Sequence, residues 1–263
     1  VLGGGIAKLK EAGIEVEFST LETECQDLNR AFVKRIKTGL PWVALKIAST
    51  LDGRIADREG KSRWITGPEA RKFVHELRNK FDCVLVGSGT ALQDDPELNV
   101  RESSSPNPRD PHKALIDSSL RVDPSSRIFR QGENSLAKTY VFCSGDLSKN
   151  KMLDNKVRLY PPGVEVISTV ADETNTGSIV LRDSLKQLCK RGVQTVLCEG
   201  GAKLAASLLE ENLVDEVFWF IAPKLLVDSK AISALNGEAL RGMDKIIEGR
   251  NPTYTGCGND ILL

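Results

Sequence analysis

Two charged residues in this sequence sit where apolar side chains would be expected. Lys46 lies inside Trp42–Ala48 (WVALKIA), a nearly continuous apolar run. An ammonium taken out of water needs a partner or a job, because desolvation costs it far more than it costs a hydrocarbon. Glu199 follows the apolar run Val196-Leu197-Cys198 and precedes Gly200-Gly201. Paired glycines let a backbone approach an anionic ligand, and the start of a following helix favours negative charge. Val84-Leu85-Val86-Gly87-Ser88-Gly89-Thr90 repeats this pattern without completing G-x-G-x-x-G, since position 92 is Leu. Taken alone, it serves a phosphate or a tight turn about equally well. Two strand–glycine–helix units in one chain favour a dinucleotide ligand over plain packing. Arg78 and Arg101 carry planar forks suited to phosphate, although solvated surface is the commoner fate of an arginine. Asp94-Asp95 suits a ribose hydroxyl or a turn cap, and Asp52-Gly53 reads as a turn at a strand end.

Other chemistries fit poorly. The sequence has two histidines, His75 and His112, and neither lies in a cysteine or carboxylate cluster at metal-ligand spacing. There is no G-x-S-x-G elbow for a hydrolase. In 263 residues, 36 Lys+Arg balance 36 Asp+Glu, so the basic excess expected of a nucleic-acid binder is missing. At 40% hydrophobic residues the chain can build a core, and no stretch approaches the ~20 apolar residues of a membrane span. The six cysteines form no C-x-x-C pair and read as free thiols in a reducing compartment. The first residue is Val, and no signal peptide is visible, so processing or a cut from a longer chain is expected.

The elements that must hold these residues can be read from apolar periodicity. Residues 1–37 predict a short helix (6–12) capped by Gly13, a strand (14–18), and a helix (22–37) capped by Ser19 or Thr20. They carry too little apolar surface for a core of their own. Strands are expected at 42–48, 83–86, 113–117, 139–143, 164–168, 195–198, 214–221 and 261–263. Helices are expected at 68–79, with Pro68 in the first turn, at 184–191 before Gly192, and at 202–211. Residues 102–112 and 144–163 read as polar connections. This alternation argues for an α/β domain with a largely parallel sheet. Ligands then sit at the carboxyl ends of strands, which singles out Ser49–Gly53, Gly87–Asp95, Ser118 and Glu199–Ala202.

An ordered series of segments narrows the reading. Lys46–Ala56 (KIASTLDGRIA), Gly60–Gly67 (GKSRWITG), His75–Arg78 (HELR), Val84–Thr90 (VLVGSGT), Asp94–Arg101 (DDPELNVR), Ile116–Ser118 (IDS) and Cys198–Ala205 (CEGGAKLA) occur in that order. Leu213–Val217 (LVDEV) and Ala222–Leu226 (APKLL) complete it. From about Pro41 onward the chain resembles the reductase domain of the bifunctional riboflavin-biosynthesis deaminase/reductase family. The resemblance implies a dihydrofolate-reductase-like α/β fold with a mostly parallel central sheet over residues 38–263. It implies NADPH-dependent reduction, at the ribosyl C1′, of 5-amino-6-(5-phosphoribosylamino)uracil to the ribitylamino compound. It makes Ala48, Trp64, Thr90, Asp94, Ser118 and the run Gly201, Ala202, Lys203, Leu204, Ala205, Ala206, Ser207 cofactor contacts. It makes Ser62, Arg78, Leu98, Arg101 and Glu199 substrate contacts, the two arginines for the ribose phosphate. Lys46 is the candidate for ring opening or proton delivery, with Glu199 orienting the substrate; making an amine from the hydride acceptor requires a proton source.

Residues 1–37 resemble the end of the family's preceding deaminase domain, which needs an H-x-E and a P-C-x-x-C zinc signature. Neither is present, so this chain is not expected to deaminate. Whether the deaminase part is truncated here or trimmed in nature stays open. A homodimer and a cytoplasmic location, or a plastid if the source is a plant, go with the resemblance. One departure is visible: after Pro223-Lys224-Leu225-Leu226 the family usually continues with Gly, whereas Val227-Asp228 follow here. This is expected to affect a C-terminal turn or an oligomer contact, away from the site. Two alternatives remain: a relative of the same fold reducing another pyrimidine or a pteridine, and a non-catalytic nucleotide-binding module. The former would not need Arg78, Arg101 and Ser62 in one phosphate pocket. The latter would not need to retain costly buried charges.

Overall fold

The computed structural model describes the chain except for residues 1–3, 18–19, 131, 133–134, 146–150, 170–178 and 238–241, and the side chains of 151–153. The strands are β1 (Trp42–Thr50), β2 (Arg54–Ala56), β3 (Cys83–Gly87), β4 (His112–Ile116), β5 (Thr139–Ser144), β6 (Val164–Thr169), β7 (Thr195–Cys198), β8 (Glu216–Ala222), β9 (Ile232–Ser233), β10 (Thr255–Cys257) and β11 (Asp260–Leu262). The helices are α1 (Gly4–Glu11), α2 (Glu22–Thr38), α3 (Pro68–Lys80), α4 (Ser88–Asp94), α5 (Lys151–Val157), α6 (Leu181–Lys190) and α7 (Ala202–Glu210).

Nine strands form one sheet in the order β10-β11-β8-β1-β7-β3-β4-β5-β6. All pairs from β8 to β6 are parallel, and the β10–β11 hairpin adds to β8 antiparallel. The expected α/β fold with a mostly parallel sheet is what forms. Strand residues alternate between two faces. Val43, Leu45, Ile47, Cys83, Leu85, Val196 and Cys198 pack with Leu185, Leu188, Leu204 and Leu208 of α6 and α7. Ala44, Val84, Val86 and Leu197 pack on the opposite face with Leu77 of α3 and Ala91 of α4. The central strands are covered on both sides, which is why their sequences are continuously apolar.

The parallel register pairs Leu45 with Cys198. Lys46 and Glu199 follow directly, at adjacent positions, and by alternation both belong to the α3 face. The position of the catalytic candidates therefore follows from a two-residue period and one register.

Several expectations need correction. Residues 14–17 have no regular structure, and Phe18 lies outside the described residues. The residue capping α2 is Leu21, with no side-chain cap bond; Thr20 does not serve, and Ser19 is outside the described residues. The connection at 144–163 contains α5. Helix α6 begins at Leu181, ahead of Ser184, because Leu181, Leu185 and Leu188 form one buried stripe. Strand β8 starts at Glu216; Asp215 turns back to accept the N–H of Val43 at 2.7 Å. The segment Gly87-Ser88-Gly89-Thr90 is the entry into α4 rather than a free turn. Strands β2, β9 and β10 were not apparent from the sequence; they are two or three residues long, too short to show a period.

Helices α1 and α2 bury no residue. Helix α2 is held to the N-terminal ends of β1 and β8 by Arg30–Glu216 at 2.9 Å, by a Lys34–Asp215 ion pair, and by the Arg30 guanidinium 4.7 Å from the centroid of the Trp42 ring.

Candidate active site

A cavity of about 1410 Å³ opens where β1, β3, β4 and β7 end against α3, α4 and α7. Its size exceeds the ~300–1,000 Å³ of a single-ligand pocket and leaves room for a cofactor together with a substrate.

On its α3 side lies a cluster of buried charges. Arg78 Nε donates to Glu199 Oε1 at 2.6 Å and Nη2 donates to Oε2 at 2.8 Å, while Nη1 donates to the carbonyl of Asn99 at 3.1 Å. Both side chains are nearly out of solvent. Burial opposes ionisation of Glu199, but the Arg78 guanidinium outweighs it and holds the carboxyl below its ordinary range. Lys46 shares the cluster, with Nζ 5.8 Å from the centroid of the Phe220 ring. Burial lowers its pKa from the usual lysine value, the negative charge of Glu199 partly restores it, and Arg78 lowers it further. A lysine tuned downward beside a fixed carboxylate is a suitable proton donor near neutral pH.

The glycine-rich elements line the same cavity. Gly200 is required by packing: a Cβ there would stand 2.8 Å from Val86 Cα and 2.9 Å from the Gly87 nitrogen. Gly201 takes a left-handed φ of 56° that turns the chain into α7. At Gly89 nothing lies within 4 Å of a would-be Cβ, so backbone there meets open space. A cradle of open backbone leading into a helix N-terminus suits the pyrophosphate of a dinucleotide. Asp94 lines the cavity, and burial pushes its carboxyl pKa up against the opposing charge of Arg63.

Every residue that the sequence proposed for the site lines this cavity except Ala206. Lys46, Ala48, Ser62, Trp64, Arg78, Thr90, Asp94, Leu98, Arg101, Ser118 and Glu199 are all present, as are Gly201 to Ala205 and Ser207. Ala206 is buried beside Gly237, its Cβ 3.5 Å from where a Cβ on that glycine would stand. The loop Ser49–Gly53, singled out by its position after β1, does not line the cavity. Asp52 instead accepts the N–H of Leu226 and of Val227, and Thr50 Oγ1 donates to it at 2.6 Å. Arg78 also differs from expectation: its fork is occupied by Glu199, so Arg101, with its side chain about half exposed, is the freer of the two for a phosphate. The sequence reading missed His75, which is buried, lines the cavity, and accepts the Arg101 N–H through Nδ1 at 3.2 Å. The only available signal was a lone histidine one turn before Arg78.

Residues 41–255 match the family model for the RibD C-terminal domain. The chain belongs to that family. It is 36% identical over 249 residues to the riboflavin biosynthesis protein RibD of Escherichia coli, covering 90% of this chain and 63% of that protein. It is 34% identical to the RibD of Actinobacillus pleuropneumoniae, covering 100% of this chain and 66% of that one. Among solved structures it resembles Acinetobacter baumannii RibD at a TM-score of 0.82 and 30% identity, covering 100% of this chain and 68% of that chain. The chain thus spans about two thirds of the length of these RibD relatives. The fold expected of a RibD reductase domain is the fold found.

Proposed function

We propose that this chain is the riboflavin-biosynthesis reductase, reducing 5-amino-6-(5-phosphoribosylamino)uracil to 5-amino-6-(5-phosphoribitylamino)uracil with NADPH. One observation carries the reading: Lys46, the buried Arg78–Glu199 pair, the open backbone at Gly89 in α4 and the Gly201 turn into α7 converge on one cavity large enough for two ligands.

When bound, the reduced nicotinamide supplies a hydride. The open backbone at Gly89 and the turn at Gly201 fit its diphosphate, with Thr90, Ser118 and Asp94 as polar neighbours along the same wall. Arg78 holds the Glu199 carboxylate charged and fixed in direction, so that Glu199 accepts hydrogen bonds from the substrate rather than giving up a proton. Lys46 carries the proton, assisting opening of the ribose and supplying the nitrogen or ring oxygen as C1′ is reduced. Arg101 and Ser62 take the ribose phosphate. Residues 1–37 belong in this reading to the end of a deaminase domain. Without H-x-E or P-C-x-x-C, the chain is not assigned the deamination step. Self-association as a homodimer and a cytoplasmic location are part of the same proposal.

The test is loss of the reduced-nicotinamide absorbance, with substrate produced in situ by a separate deaminase. Consumption that depends on the deaminated phosphoribosylaminopyrimidine is the expected result. Binding of NADPH without consumption would overturn the reading in favour of a non-catalytic module, and consumption only with a pterin or a dephosphorylated pyrimidine would favour another substrate.

A further inference from the structure

His75 has 7% of its surface exposed and lines the cavity beside the segment that carries Arg101. Its Nδ1 accepts the Arg101 N–H at 3.2 Å. A neutral imidazole has one N–H, so with Nδ1 accepting, Nε2 carries the hydrogen. Among the described residues no hydrogen bond from this Nε2–H is present. Nε2 is not among the fully buried unpartnered side-chain atoms, so on a residue that lines the cavity this donor stays reachable and is available to the cavity's contents. The surrounding charges are Arg78 on the same helix, Arg101 and Glu102 on the adjoining segment, and Glu199 just after β7. Glu199 is already committed to Arg78, and Nε, Nη1 and Nη2 of Arg78 each already donate a hydrogen bond. The Arg101 guanidinium approaches Glu97 no closer than 3.7 Å. A neutral donor reachable from the cavity, on the same segment contact as a partly exposed guanidinium, suits an oxyanion.

We infer that His75 is a direct ligand of the substrate phosphate, donating from Nε2 next to the Arg101 guanidinium. This rests on the phosphoribosyl reductase reading above. The backbone bond to Nδ1 fixes both the tautomer and the ring direction, so the same histidine shapes the Arg101 segment and completes the anion site.

Two near-isosteric substitutions separate these roles. In His75→Asn the amide oxygen overlays Nδ1 and keeps the Arg101 N–H bond, but the Nε2 donor is gone. In His75→Gln an amide N–H reaches the Nε2 position. The probe is ribose 5-phosphate as a competitive inhibitor, with ribose as the unphosphorylated control and the substrate KM measured alongside. Expected is a roughly tenfold weaker Ki and higher KM in His75→Asn, borne by KM rather than kcat, with His75→Gln recovering to within about threefold. Normal Ki in His75→Asn with loss only in His75→Gln would overturn the inference and leave a purely structural histidine. Equal loss in both, with NADPH binding intact, would overturn it too. A parent enzyme that neither consumes NADPH nor binds ribose 5-phosphate would instead defeat the underlying functional reading.

Discussion

Arg78 and Glu199, 121 residues apart in sequence, form a two-pronged ion pair at 2.6 and 2.8 Å on the wall of the cavity. The pair converts two residues that each suggested direct ligand binding into one device, in which the guanidinium keeps the carboxylate ionised and aimed. Lys46 experiences the result, because the negative charge of Glu199 opposes the desolvation that lowers its pKa.

Glu199→Gln should therefore damage turnover and folding together while sparing the cofactor. It leaves the Arg78 guanidinium buried without its counter-charge, at a cost of about 3 kcal/mol. We expect kcat to fall on the order of a hundredfold with the NADPH Kd within about twofold, since the glycine cradle is untouched. Denaturant melts and NADPH titration check the two halves. Equal losses in kcat and NADPH affinity would count against a substrate-side role.

The proton on Lys46 predicts a basic limb in the pH–rate profile. A donor works while protonated, so kcat/KM should decline as pH rises through the Lys46 pKa. That decline should come below the ordinary lysine range, because burial lowers the pKa. Lys46→Arg cannot deprotonate over this range and should lose the limb along with most of the rate. An unchanged limb in the variant would assign the titration to another group.

With Arg78 paired to Glu199, the proposed reading assigns the charge that meets the substrate phosphate to Arg101. Arg101→Ala should raise the substrate KM about tenfold or more and leave KM for NADPH near its parent value. The comparison of the two KM values is the check. An unaltered substrate KM would remove Arg101 from the phosphate site.

Asp52 has a structural role with a defined pH signature. The Thr50 hydroxyl, followed by the N–H groups of Val227 and Leu226, lowers its pKa to about 2. A group whose folded pKa lies below its unfolded value adds stability above the unfolded value, and that stability is lost as pH falls through the folded one. Asp52→Asn should lower Tm clearly at pH about 7, and the gap to the parent should shrink as pH drops from about 4 toward 2. Thermal melts at several pH values test this, and a gap independent of pH would refute it.

Val227 occupies the position where a glycine was expected, and it takes a left-handed φ of 53°. A β-branched residue is strained there, whereas glycine adopts the conformation freely. The residue is mostly exposed and lies outside the cavity, so little packing is lost on truncation. Val227→Gly should stabilise the fold by about 1 kcal/mol with kcat and KM unaltered. A lower Tm would show that the side chain has a packing role.

The sequence by itself determined the layered fold and the strand ends around which the cavity opens. Continuous apolar runs at Trp42–Ala48, Cys83–Val86 and Thr195–Cys198 can be satisfied only by strands covered on both faces. Residues just past parallel strands must share one edge of the sheet. That reasoning placed Thr90, Ser118 and Glu199 together with no knowledge of their partners, and it wrongly included Ser49–Gly53; Lys46 stood out only as a charge inside an apolar strand. It failed where the answer depends on which distant groups meet. Ala206 required knowing that the segment carrying Gly237 packs against α7, a contact no local pattern announces. Asp52 looked like a turn residue and proved to anchor Leu226 and Val227, 174 and 175 positions away. His75 was visible only as part of the His75–Arg78 segment, and its role was not, because the bond that fixes its ring comes from the backbone of Arg101. Burial leaves a periodic imprint along the chain and is legible from it. Hydrogen-bond and ion-pair partners are chosen by register and helix packing, so only the tertiary structure could decide what Arg78, Asp52 and His75 do.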